Sequence, residues 1–282
     1  MRNNEERFGA TTKVDSPAPF VETNNNNNSN TLNFVVPTDF VELPSKGAFY
    51  PKEHPLHGQE CIEVRQMTAK DEDILTSRAL LQKGIAVERL LQNLIINKDI
   101  NVSELLVGDK NAIMIATRAS AYGSSYETKV QCPYCNSVND HEFDLEQIKS
   151  KVHEPGSFSS TENGTFVIEL PVSKVKVEVR FLNGKDEADL LAFSEKKKQY
   201  NLLDNPITDQ MKAFTVSINA LTNREEISSF IENMPAKDSH YLRTTYLGLV
   251  PNIDLTQNIK CKSCFVDIEM EVPFTTEFFW PK

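Results

Sequence analysis

Glycine is scarce, with only 10 in 282 residues. The patterns G-x-x-x-x-G-K-[ST], G-x-G-x-x-G and G-x-S-x-G are all missing. Phosphate binding through a glycine loop and nucleophile-elbow chemistry therefore have no support. Long apolar runs are missing too: none approaches the ~20 residues that span a bilayer. The opening MRNNEERFGATTKVDS is polar and charged, and is not read as a secretory signal. Positive charge is in deficit, 30 Lys and Arg against 40 Asp and Glu, a formal net charge of −10. Nucleic-acid binders take most of their affinity from phosphate neutralisation, so this balance argues against that class. Dense basic stretches occur only at 174–180 (KVKVEVR) and 195–200 (EKKKQY), the second reading as a solvated helix face. Cysteine is rare and odd in number, five in all. That argues against a disulfide framework and points to a reducing compartment.

Four of the five cysteines are paired. Cys132 and Cys135 stand in VQCPYCNSV, and Cys261 and Cys264 in IKCKSCFVD. Two intervening residues let one turn aim both sulfurs at a single ion. Four thiolates fit a tetrahedral structural zinc, so Zn2+ is the expected cofactor. A closed four-ligand set leaves no position for water or substrate, and chemistry at the metal is not expected. An iron–sulfur cluster takes the same donors, and the bland alternatives are two reduced pairs that never meet or a disulfide formed after cell lysis. His141, close after Cys135, could replace a thiolate but reads as an ordinary strand residue. The HPLH stretch at 54–57 reads as loop, because two histidines alone rarely hold a metal. The fifth cysteine, Cys61 in GQECIEVRQ, reads as a small buried apolar residue.

The chain repeats itself. VELPSK (41–46) returns as IELPVSK (168–174), IEVRQMTAKDEDIL (62–75) as VEVRFLNGKDEADLL (177–191), and VQCPYC (130–135) as IKCKSC (259–264), in the same order. Three ordered matches point to internal duplication. The expected organisation is an Asn-rich disordered tail at 1–39, a first half at 40–153 and a second at 154–282. The fold class is α+β, mainly helical with short strands, its two duplicated halves joined by a four-Cys zinc site.

IEVRQM and VEVRFL alternate at period two and read as strands. Each runs into a helix start, with Thr68 and Asp71, or Asn183 and Asp186, as capping pairs. Helix capping accounts for the repeated KDE, so these acids are not taken as a catalytic pair. Further helices are predicted through 72–81 and, after a break at Gly84, 85–96. The stretch 110–123 follows, with Asp109 as cap and Gly123 as stop. In the second half helices are predicted in 187–203, 208–222, 224–234 and 237–250. Strands DHEFDL and VDIEMEV close the two knuckles.

No catalytic constellation rises above background, and the chain is not read as an enzyme. The terminal aromatics Phe278, Phe279 and Trp280 are expected to bind a partner, with folding back onto the second knuckle as the competing fate. GAFYP at 47–51 reads as a second exposed aromatic loop.

Three stretches carry a resemblance. Leu43-Pro44-Ser45 leads through Gly47 to Tyr50-Pro51. Gly108-Asp109 leads through Arg118 and Tyr122-Gly123 to Cys132-Pro133 and Cys135. The chain ends in Phe278-Phe279-Trp280-Pro281. Together they resemble the baseplate hub proteins of contractile-tailed, T-even-type bacteriophages, over most of residues 40–282. The resemblance implies a structural or assembly protein of the baseplate hub, made in the host cytoplasm, with other baseplate or hub proteins as partners. It carries no catalytic residue. The alternative is a zinc-ribbon regulator binding nucleic acid, which needs a basic face beside a knuckle. The segments around the knuckles, NDHEFDLEQ and VDIEMEV, are acidic.

Overall fold

Alternation sets the first strands. In β1 (Thr38–Glu42) and β2 (Cys61–Arg65) the inward residues Val41, Ile62 and Val64 share a buried face, and the strands pair antiparallel. The computed structural model describes residues 35–151, 164–273 and 278–279. The Asn-rich run and Trp280 lie outside the described residues.

Three short helices follow, α1 (Ala69–Thr76), α2 (Arg78–Gln82) and α3 (Ala86–Leu94), with Gly84 at the second break. Then come α4 (Val107–Tyr122), a hairpin of β3 (Ser125–Gln131) and β4 (Val138–Asp144), and the short β5 (Lys149–Ser150). Gly123 stops α4 as expected, with φ of 86°. Asp109 is not its cap: Leu106 is, and Asp109 is the helix's third residue, fully buried.

From residue 164 the chain runs through β6 (Phe166–Glu169) and β7 (Lys176–Val179), then α5 (Gly184–Gln199) and α6 (Pro206–Phe214). The helix predicted through 208–222 ends at Phe214. Thr215–Ile218 is instead a strand, β8, antiparallel to β7. Its sequence TVSI is rich in β-branched residues, which favour a pleated surface. The Thr215 hydroxyl donates back to Met211 O, occupying a carbonyl in the last turn of α6. The chain continues through α7 (Arg224–Asn233), α8 (Ala236–Leu249) and β9 (Ile253–Asp254). The hairpin of β10 (Thr256–Lys260) and β11 (Asp267–Glu271) follows. The described elements are mixed helix and small antiparallel sheets, an α+β architecture.

Val36–Lys282 forms one unit. Leu90, Leu94, Ile113 and Phe143 share its buried core with Ile168, Phe214 and Leu242. β5 pairs with β9, and α4 approaches the chain after α8 so closely that a Cβ on Gly108 would lie 2.0 Å from Pro251 O.

The same contacts recur along the chain. Arg65 at the end of β2 makes a bidentate pair with Asp71 at 2.7 and 2.8 Å, and Arg180 after β7 does so with Asp186 at 2.7 Å twice. Each arginine also donates to the carbonyl of the next residue: Arg65 to Gln66 O, Arg180 to Phe181 O. Asp71 and Asp186 both close capping boxes, with Thr68 and Asn183. The loop after β1 donates Ser45 N–H to Asp109, and the loop after β6 donates Val172 and Ser173 N–H to Asp238, each acid the third residue of its helix. Lys46 and Lys174 take positive φ in those loops, 49° and 56°.

Asp71 is fully buried and carries a pH prediction. Burial would raise its pKa, but Arg65, the Thr68 backbone and hydroxyl, and Asn93 all donate to the carboxylate and hold it at about 2. The unfolded value is about 4. A lowered folded pKa means stability that is present above pH ~4 and lost as pH falls toward ~2, about 2 kcal/mol in all. Asp71→Asn is expected to cost about 2–3 kcal/mol at neutral pH and to flatten the acid branch between pH ~4 and ~2. Urea unfolding of both proteins across that range measures it; parallel acid branches would refute it.

Candidate metal centre

Each Cys pair sits at the tip of a hairpin. β3 buries Tyr126, Thr128 and Val130 on one face by strict alternation, and seven residues of β4 pair against it. β10 and β11 pair over five residues. The two tips share one backbone pattern. Cys132 N–H bonds Ser137 O at 2.9 Å and Asn136 N–H bonds Cys132 O at 2.9 Å. Cys261 N–H bonds Val266 O and Phe265 N–H bonds Cys261 O, both at 3.0 Å. Each turn needs a left-handed residue, Asn136 (φ 57°) in one and Phe265 (φ 60°) in the other. Asn tolerates that conformation; for Phe it costs of order 1 kcal/mol.

The tips bring the four expected ligands together. The sulfurs of Cys132, Cys135, Cys261 and Cys264 all lie within 4.8 Å of one another. Cys132 Sγ is 3.7 Å from Cys264 Sγ, and Cys135 Sγ is 3.7 Å from Cys261 Sγ. A tetrahedron with metal–sulfur bonds near 2.3 Å has edges of ~3.8 Å, so this spacing fits a four-thiolate ion. Cys132 and Cys261 are buried, Cys264 is half-buried and Cys135 is exposed.

Donors favour thiolates here. The backbone N–H groups of Cys264 and Ser263 point at Cys261 Sγ and hold its pKa down, at about 5. Asn139 Nδ2 also lies 3.5 Å from that sulfur. The Ser137 hydroxyl, 2.9 Å from Cys135 Sγ, lowers the Cys135 pKa. Cys264 moves the other way, to about 12. The Val266 backbone favours its thiolate, but burial and the adjacent sulfurs outweigh that. A cation placed between the sulfurs would offset the repulsion that resists ionisation of Cys264.

The other sequence candidates fall elsewhere. His141 is not in the sulfur cluster; it packs edge-on against Phe143, 4.7 Å between centroids. His54 stacks on Tyr50, and His57 Nδ1 bonds Tyr50 O. Cys61, expected to be buried, is exposed at the start of β2, where its residue position points outward. The two aromatic rings of the GAFYP loop are not exposed. Phe49 packs on Phe166 and Phe181, and Tyr50 is buried with its hydroxyl 2.8 Å from Asp109 Oδ2.

Phe278 and Phe279, offered above for partner binding, are buried in the chain's own core. Phe278 meets Tyr126 of β3 edge-on at 5.0 Å, and Arg118 of α4, itself buried, donates to Phe278 O at 2.8 Å. Of the two fates weighed for these side chains, folding back is the one seen, with Phe278 against Tyr126 of the first hairpin. Phe40 and Tyr200 are exposed elsewhere, and two exposed aromatics sit at the knuckle tips, Tyr134 and Phe265, each 70% exposed. Sequence reasoning missed them; an aromatic in the second position between paired cysteines, or directly after them, was the available signal.

The comparisons add one finding. A family model described as T4 bacteriophage base plate protein matches residues 38–280. No curated protein and no solved structure matches.

Proposed function

The chain belongs to the family of T4 bacteriophage base plate proteins, and from that premise we propose that it is a non-enzymatic hub or hub-assembly component in which a structural zinc clasps two duplicated halves. Family membership over 38–280 supports the tail role and contacts with other tail proteins. The observation that carries the zinc reading is the four-sulfur cluster, with its 3.7 Å approaches between hairpins. The recurring Arg–Asp pairs, loop-to-helix clasps and knuckle turns support duplication, with halves at 40–153 and 154–282. Assembly in the host cytoplasm and incorporation into the tail follow from the same reading. Elemental analysis of protein purified without chelator tests the metal: one zinc per chain is expected, and none would remove the claim.

The knuckle tips are proposed as the face toward a neighbouring baseplate protein. Phe265 carries both a left-handed backbone and an exposed ring, where the matching turn uses Asn136. Neither cost is recovered within the chain, and burial of the ring against a partner would offset both. Phe265→Asn is therefore expected to keep or raise the melting temperature, by up to ~4 °C. In phage carrying this variant, assembled tails should fall about tenfold or more, the scale of losing one buried aromatic anchor. Normal tail yield would refute the contact.

A further inference from the structure

The sulfur geometry carries a second state of the same clasp. The two 3.7 Å approaches, Cys132 to Cys264 and Cys135 to Cys261, both run between hairpins, and they share no sulfur. All four cysteines can therefore pair at once, each across the junction. We propose that oxidation converts the clasp from a metal-held form to one held by two disulfides, Cys132–Cys264 and Cys135–Cys261. A zinc thiolate site needs reduced sulfur; these pairings would keep the hairpins joined where thiols do not survive.

Cys135 is the point of entry. Its side chain is the exposed member of the set, whereas Cys132 and Cys261 are buried. Cys261 is further held by the Ser263 and Cys264 N–H groups and by Asn139. Cys135 Sγ also meets a donor, the Ser137 hydroxyl at 2.9 Å, so exposure is what separates the two sulfurs, and the exposed one meets an oxidant first. With a diazene oxidant such as diamide, the thiolate of Cys135 adds to the N=N bond and a nitrogen takes a proton. Cys261 Sγ then attacks Cys135 Sγ, the S–S bond forms, and the reduced nitrogen leaves as a hydrazine after a second proton. Cys264 and Cys132 react likewise. Four thiolates lose four electrons, two diazenes take up those electrons and four protons, and the ion leaves as a dication.

The cross-links close long loops, between residues 132 and 126 positions apart in sequence. Loops of that length restrict the unfolded chain strongly. An oxidised protein without metal should then melt within a few degrees of the zinc form, while reduced protein without metal melts about 10 °C or more below it.

The inference rests on reading the four cysteines as one clasp, and the test separates it from the zinc reading. Zinc content is measured first on protein purified without chelator. The full chain is then titrated with diamide beside a chromogenic zinc chelator, and disulfides are mapped by mass spectrometry after non-reducing digestion. Expected are loss of four thiols, release of one zinc in step, and peptides linking 132 to 264 and 135 to 261. Peptides linking 132 to 135 and 261 to 264 would overturn the proposal even with zinc present. Absence of zinc with the cross-hairpin peptides would instead sink only the zinc reading. A second readout avoids reliance on folding of variants: iodoacetamide applied briefly to the native protein should label Cys135 at least tenfold faster than Cys261. Equal labelling would overturn the assigned entry point.

Discussion

Cys132→Ser is expected to abolish stoichiometric zinc binding and to lower the melting temperature by about 10 °C or more. The reason lies in the donor chemistry and in position. A serine hydroxyl does not ionise at neutral pH and is a poor match for a thiolate-loving ion. Cys132 is buried, 3.7 Å from Cys264 Sγ, so no water or neighbouring side chain replaces its sulfur from the surface. An ion held by all four sulfurs would join the two hairpins, so its binding energy would be folding energy for both tips. Cys135→Ser, at the exposed edge, should lose less, and Cys61→Ser, outside the cluster, should change nothing. Zinc analysis with calorimetry measures all three. A Cys132→Ser protein that melts with the parent would show that the cluster does not support the fold.

Asp109→Ala is expected to destabilise the protein by about 3 kcal/mol in urea unfolding. Asp109 accepts Ser45 N–H at 3.0 Å, Ser45 Oγ–H at 2.5 Å and Tyr50 Oη–H at 2.8 Å, all buried. Tyr50 in turn accepts Leu106 N–H at 3.1 Å, at the cap of α4. Alanine strands these donors without water. Asp109→Asn should cost roughly half as much. It keeps an acceptor for Ser45, and it removes a carboxylate whose burial pushes its pKa above the ordinary range. Asp238→Ala, which strands Val172 and Ser173 N–H, should fall in the same direction. A loss under ~1 kcal/mol for Asp109→Ala would mean that the loop relaxes to reach water.

Much of this was legible in residue order. Period-two alternation placed β2 and β7, and the Thr68/Asp71 and Asn183/Asp186 spacing placed the helix starts that the capping boxes occupy. The Cys pairs were legible because ligand chemistry restricts both residue type and spacing. What failed depended on tertiary packing. TVSI continued a helical pattern locally, and became a strand because β7 offers it an edge to pair with. FY in GAFYP reads as exposed beside Pro and Gly. Phe166, Phe181 and Asp109, distant in sequence, give its two rings their places. Phe278 followed the same rule, meeting Tyr126 and Arg118, with Phe279 packed edge-on against it.

By itself the sequence determined that a four-thiolate site was available, that the same strand-to-helix signals occur twice, and that no catalytic pattern stands out. Those follow from local chemistry: donor type, side-chain period and cap spacing are properties of neighbouring residues. Only the tertiary structure decided that the two knuckles meet, and that the motif residues Gly108, Asp109, Tyr50 and Arg118 hold packing together. It alone turned the terminal phenylalanines inward and left Tyr134 and Phe265 outward. Burial is set by which distant surfaces meet, and that information is distributed over the chain, with no single stretch containing it.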